Sequence, residues 1–153
     1  MWRVIIRRAS SDDASSIADI AQEAYAPYLE RMHGQRPGPM DADYESLVAT
    51  SEAWVAEEDG EIVGFLVLTG ESDALLLEGV AVLPSYQGLG VGRRLLELAE
   101  TEARAAGYDR IRLYTHETMV ENQRLYERNG YVETHRATEH GFGRVFYVKS
   151  MDG

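Results

Sequence analysis

No cysteine occurs among the 153 residues. Disulfides, thiolate metal sites and cysteine nucleophiles are thereby excluded. The four histidines, His33, His116, His135 and His140, are scattered and form no HExxH-type pair, so no metal centre is expected. No apolar run is long enough to span a bilayer. The N-terminal MWRVIIRRAS is basic but lacks the apolar core and small-residue cleavage site of a secretory leader. A cytoplasmic location and no membrane partner are the expectations. Positive charge is scarce, with 15 Lys and Arg against 26 Asp and Glu, a formal net charge of −11. A nucleic-acid binder needs a basic footprint, so that class is set aside. The acidic balance suits a cationic partner, and it also serves solubility alone. Repeats, linkers and low-complexity tracts are absent as well, so a single domain over residues 1–153 is expected.

What is present reads as mixed α/β. Arg3–Arg8 predicts a first strand. Ser11 or Asp12 caps a helix whose apolar stripe is Ile17, Ile20, Ala21, Ala24, Tyr25 and Tyr28. The stretch HGQRPGPM (His33–Met40) breaks it, and Asp41 caps a second, shorter helix carrying Tyr44, Leu47 and Val48. Ala53–Glu58 and Glu61–Thr69 flank Asp59-Gly60, a strong hairpin signal. Ala74–Leu83 is a largely buried strand. A helix then runs to Ala106 with Val91, Leu95, Leu98, Ala99 and Glu102 on its face and Leu96 and Ala103 beside it, and Gly107 stops it. Arg110–Thr115 is a strand. Thr118 and Glu121 have capping-box spacing for a helix ending at Gly130. Tyr131–Ala137 and Arg144–Lys149 close the chain as two strands around His140–Gly143. The strands Ala74–Leu83 and Arg110–Thr115, joined through a helix, should lie parallel.

Between the buried strand and its helix lies QGLGVG: Gln87, Gly88, Leu89, Gly90, Val91, Gly92. Bare backbone at a helix N-terminus is an anion site, because unpaired N–H groups and the helix dipole both favour negative charge. Arg93 and Arg94 add formal charge. A tight strand-to-helix turn without a ligand is the other reading. A Walker loop would end in Gly-Lys-Ser/Thr, whereas Gly92 precedes Arg93-Arg94. A GxGxxG fingerprint would need glycine at position 93. Both nucleotide readings fail on residues.

The pattern that remains, Gln-x-x-Gly-x-Gly after a Val-x-Val strand (VAVLPSYQGLGVG), resembles the GNAT family of acetyltransferases. The later stretch MVENQRLYERNGY (Met119–Tyr131) resembles that family's following helix, with Asn122 and Tyr126 on one face at i,i+4. Together these motifs cover the C-terminal two-thirds of the chain. The resemblance implies a GNAT fold: a mixed, mostly antiparallel sheet of about seven strands with a splayed parallel pair, flanked by about four helices. It implies acetyl-CoA as co-substrate, its pyrophosphate on Gln87–Gly92 and Arg93, its pantetheine along Val80, Ala81 and Val82 and against Asn122. A backbone N–H on the same strand would polarise the acetyl carbonyl.

The resemblance also assigns roles. Tyr126 is the candidate general acid, set against the reading of a tyrosine packed at a helix–sheet contact. Glu78 interrupts an apolar strand, and strand parity places it on the face of Val80 and Val82. It is either the general base, through water, or a structural carboxylate. Tyr25, Tyr28 and His116 are the candidate acceptor contacts, with a core or solvent-facing role as the alternative. Glu97–Arg104 reads as a solvated helix face. The expected activity is transfer of acetyl to a primary amine of a small molecule. A protein or peptide amine is the alternative acceptor, and a non-catalytic acyl-CoA-binding module the alternative class. A homodimer is left open.

Overall fold

The computed structural model describes residues 3–151. The predicted first strand begins later than expected, at Ile5, and β1 is Ile5–Arg8. A 3₁₀ turn at Ser11–Asp13 leads into α1 (Ala14–Tyr25), which is followed by α2 (Tyr28–Arg31), α3 (Gly38–Asp41) and α4 (Tyr44–Thr50). Then come β2 (Glu52–Glu58), β3 (Glu61–Gly70), β4 (Leu75–Val82), α5 (Val91–Ala105), β5 (Arg110–His116), α6 (Val120–Arg128), β6 (Val132–Glu139) and β7 (Phe142–Ser150). The seven strands form one sheet in the order β1-β2-β3-β4-β5-β7-β6, with β4–β5 as its parallel pair. Four substantial helices match the expectation, and α2 and α3 are added single turns of four residues each. Among the described residues, no helix is long and apolar enough to cross a membrane.

Several local signals resolve differently from the sequence reading. The first helix is opened by Ser10, not by Ser11 or Asp12: the Ser10 N–H donates to Asp13 Oδ2 at 2.8 Å. Arg7 grips the same carboxylate through both terminal nitrogens, at 2.8 and 3.0 Å. This ties β1 to the start of α1. Asp43, not Asp41, caps α4 by accepting the Ser46 N–H at 3.1 Å. The Thr118–Glu121 capping box does not form, because the Thr118 hydroxyl meets His116 and Glu121 pairs with Arg31. Both hairpin turns, Asp59-Gly60 and His140-Gly141, have φ positive at both residues. That is the type I′ geometry that Asp-Gly favours and that suits the strand twist.

Two apolar layers cover the sheet. On one face α5 buries Val91, Leu95, Leu96, Ala99 and Ala103 against Leu66, Leu75, Val80 and Val82. Leu98 and Glu102 fall at the margin of that stripe rather than on it. On the other face α1 and α4 pack Ile17, Ile20, Tyr25 and Tyr44 on Val55, Phe65, Val67 and Ala81.

The feature that positions the site is in β4. Val67 pairs with Gly79 but Leu68 pairs with Leu77, so Glu78 is passed over in a β-bulge. Leu75, Leu77, Val80 and Val82 consequently all face the α5 layer, which unbroken alternation would forbid. Glu78, expected on the face of Val80 and Val82 of a buried strand, is left out of the pairing, and its side chain is exposed rather than buried.

The Arg7–Asp13 junction makes stability pH-dependent. The Arg7 hydrogen bonds and the Ser10 N–H hold the Asp13 carboxyl down to about 2, against about 3.9 for an unfolded aspartate. The stabilisation is then full above the unfolded value and is lost as pH falls from about 4 toward 2. Asp13→Asn should cost about 1–2 kcal/mol at pH 7, allowing for solvent screening of the half-exposed Arg7. In urea titrations across pH, the gap between wild type and variant should close as pH approaches 2.

Candidate active site

β4 and β5 pair at Leu75–Ile111 and Leu76–Arg112 and then part. Beyond that point one edge of β4 has no strand beside it. The groups facing the gap can be identified. Leu83 N–H donates to Val63 O on β3, so alternation turns Val80 and Val82 toward the gap. Two side chains there stand in for a missing strand: the Tyr25 hydroxyl donates to Val80 O at 3.3 Å, and Gln87 Nε2 donates to Val82 O at 3.1 Å. The N–H groups of Val80 and Val82 point the same way, because a strand residue presents both its backbone groups to one side.

Two cavities meet at this edge, and Tyr25 and Val80 line both. The larger, about 1120 Å³, is a groove along the glycine loop and α5. Val80, Ala81, Val82, Gln87, Gly88, Gly90, Gly92, Arg93 and Asn122 all border it. Leu89 and Val91 do not. Leu89 faces solvent, and the Val91 side chain is buried in the α5 core, leaving its backbone N–H at the helix start. Arg94 turns away, donating to Val4 O at 2.7 Å.

Gly88 and Gly90 have φ of +80° and +90°, a conformation that glycine tolerates without strain. Backbone geometry alone thus explains them, and open space surrounds both. Gly92 differs, since it is the second residue of α5 and a Cβ there would make only ordinary contact with Leu125 at 3.6 Å. The Glu97–Arg104 stretch is more than a solvated face. Arg93, Glu97, Glu100, Thr101 and Arg104 recur at three- and four-residue spacing and form one wall of the groove. That helical stripe was visible in the sequence. Arg128 and Lys149, which border the groove from α6 and β7, carried no such signal.

The smaller cavity, about 250 Å³, lies on the far side of Tyr25 and Val80. Its wall includes Tyr25, Tyr44, Glu78, His116, Tyr126 and Arg144. Tyr28 is not among them, bordering the groove instead. Tyr126 is buried among Tyr131 and Tyr147, with ring centroids 5.8 and 6.0 Å away. Desolvation there raises its phenol well above the ordinary tyrosine value. Burial lowers the pKa of His116, favouring the neutral ring. Its Nδ1 accepts the Thr118 backbone N–H at 3.2 Å, so the neutral ring carries its proton on Nε2. Among the described residues no group of three or more His, Asp or Glu side chains is arranged to hold a metal ion.

A model of the Acetyltransferase (GNAT) family matches residues 15–131. The uncharacterized N-acetyltransferase YjgM of Escherichia coli K12 is 30% identical over 135 residues, covering 83% of this chain and 81% of that protein. The fold agrees with that of a GNAT-family acetyltransferase from Staphylococcus aureus Mu50, with a TM-score of 0.81, 18% identity and coverage of 97% and 99% of the two chains. The paiA N-acetyltransferase of Thermoplasma acidophilum, solved in complex with coenzyme A, superposes with a TM-score of 0.78 at 20% identity, covering 97% of this chain and 99% of its own. The fold and the family match define the class as acetyl-CoA-dependent N-acetyltransferases. This chain belongs to the acetyltransferase (GNAT) family.

Gly90→Ala and Gly92→Ala should separate backbone need from ligand approach. Gly90→Ala forces a left-handed alanine, costing roughly 1–2 kcal/mol of stability. Gly92→Ala should leave the melting temperature nearly unchanged and weaken acetyl-CoA binding by calorimetry. Equal acetyl-CoA affinity in Gly92→Ala and wild type would show that no ligand lies close against that residue.

Proposed function

We propose that the chain acetylates a primary amine of a small molecule, with acetyl-CoA in the groove and the amine in the smaller cavity. The observation that carries this reading is the meeting of the two cavities at Tyr25 and Val80. A cavity of about 250 Å³ admits a compact amine more readily than a folded protein surface. The residues present suit the coenzyme: free N–H groups on the β4 edge, a glycine loop opening α5, and Arg93, Arg104, Arg128 and Lys149 around the groove. Acetyl-CoA supplies the activated acyl group as a thioester.

The chain's own contribution is orientation and proton handling. The gap-facing N–H groups of β4 are placed to polarise the acyl carbonyl. Glu78 takes a proton from the incoming ammonium, directly or through water. Tyr126, kept protonated by burial, donates its O–H to the departing sulfur. The N–C bond forms as the C–S bond breaks. Of the two protons the ammonium loses, one replaces the proton that Tyr126 lends to sulfur, and the other leaves through Glu78. His116 is an unsuitable base in this scheme, because its Nδ1 is engaged and its Nε2 is already protonated.

Release of free CoA thiol across a panel of amino acids, polyamines, aminoglycosides, arylalkylamines and short peptides tests the reading. Turnover of a small amine is the expected result, and turnover of peptides alone would replace it with a protein acceptor. Tyr126→Phe should lower kcat by about 10²-fold while leaving acetyl-CoA affinity unchanged; an unaltered kcat removes Tyr126 from the acid role. Glu78→Gln should lower activity most at acidic and neutral pH. The deficit should narrow toward pH ~10, where the amine deprotonates unaided.

A further inference from the structure

The polar groups of the smaller cavity divide between the two diverging arms of the gap. On β4 stands Glu78, which has no hydrogen bond or ion pair among the described residues. On the opposite arm, His116 of β5 and Arg144 of β7 are register partners, side by side in the sheet. Of the cavity's tyrosines, Tyr44 and Tyr25 have already committed their O–H groups. The Tyr44 hydroxyl donates to Pro39 O at 2.6 Å and the Tyr25 hydroxyl to Val80 O, so both present ring faces.

On the β5–β7 arm the nitrogen groups facing the cavity are donors, beside the hydroxyls of Tyr114 and Thr115. Arg144 is four-fifths buried, and its guanidinium carbon lies 4.3 Å from the centre of the Tyr114 ring. Glu139 takes one of its terminal nitrogens, at 2.8 Å. A guanidinium has five N–H groups in a fixed fork, so most of its donor capacity remains. His116 adds an Nε2–H, since Thr118 occupies Nδ1. A planar fork with a second donor beside it is the arrangement that binds a carboxylate. An amine with a purely apolar body would leave these buried donors unmatched, at a cost to affinity.

We propose that Arg144, assisted by His116, is the specificity-determining residue of the acceptor site, and that the acceptor is an amino acid. Its amine faces Glu78, its carboxylate lies on Arg144, and its apolar body fills the space among the tyrosine rings. This rests on the small-molecule reading above.

The test is thiol release from acetyl-CoA with matched pairs: phenylalanine against phenethylamine, leucine against isopentylamine, and a series of ω-amino acids against their decarboxylated counterparts. The preferred acid should exceed its decarboxylated partner in kcat/KM by about tenfold or more, the size of one lost charge-assisted hydrogen bond. Arg144→Gln should raise KM for that acid by a similar factor, with kcat and the amine's KM held within about twofold. Arg144→Lys should restore part of the loss. Equal use of acid and amine, or an Arg144→Gln variant that slows both series alike, overturns the proposal. Turnover of amines but not of acids would overturn it while leaving a small-amine acceptor standing. Turnover of peptides alone would overturn both.

Discussion

The parting of β4 from β5 after two residue pairs is the constraint on which the site depends. A sheet normally satisfies every backbone group inside it, and an unpaired edge in the middle is costly unless something occupies it. Here the vacancy is partly filled by the chain itself, through Tyr25 and Gln87 on the carbonyls of Val80 and Val82. The rest of the architecture serves that opening. The α5 layer anchors one face of β4, the α1 and α4 layer anchors the other, and the cavities lie where the two arms diverge. The unpaired backbone groups of β4 are available only because the two strands part.

Much of this was legible in the sequence because it is local. Periodicity located α1, α5 and the strands, the Asp59-Gly60 turn announced its hairpin, and the spacing of Gln87, Gly90 and Gly92 marked the helix entrance. What escaped turns partly on partners distant in the chain and partly on local competition for the same groups. The Ser10 cap closes locally on Asp13, and Arg7, which bonds both Asp13 and Glu57, holds that carboxylate in place. Thr118 and Glu121 had the spacing of a capping box, yet Thr118 pairs with His116 two residues before it and Glu121 with the distant Arg31. Tyr28 belongs to the helical stripe by spacing, but α1 ends at Tyr25 and the chain restarts at Tyr28. Arg144 was invisible as a site residue because nothing in its neighbourhood along the chain says that β7 pairs with β5.

The charge pattern illustrates the same point. The protein is strongly acidic overall, with a net charge of −11, yet four cationic side chains border the larger groove. Several are held in place by acids that also border it, as Lys149 is by Glu100 at 2.9 Å. Composition describes the field at long range, whereas an anionic ligand inside a groove feels the nearest charges.

The bulge at Glu78 has an implication for how this segment tolerates change. Because one residue of β4 is passed over, the strand runs in two phases, Leu75–Leu77 before it and Val80–Val82 after it. Substitutions within either phase alter one contact at a time. Removing Glu78 itself would restore plain alternation and leave all four side chains on the α5 face, whereas a deletion within either phase would rotate the residues beyond it by half a turn, sending Val80 and Val82 out of the core or Leu75 and Leu77 into the opposite layer. This stretch should therefore accept replacements far more readily than changes of length, with Glu78 the one position where a deletion keeps the pattern.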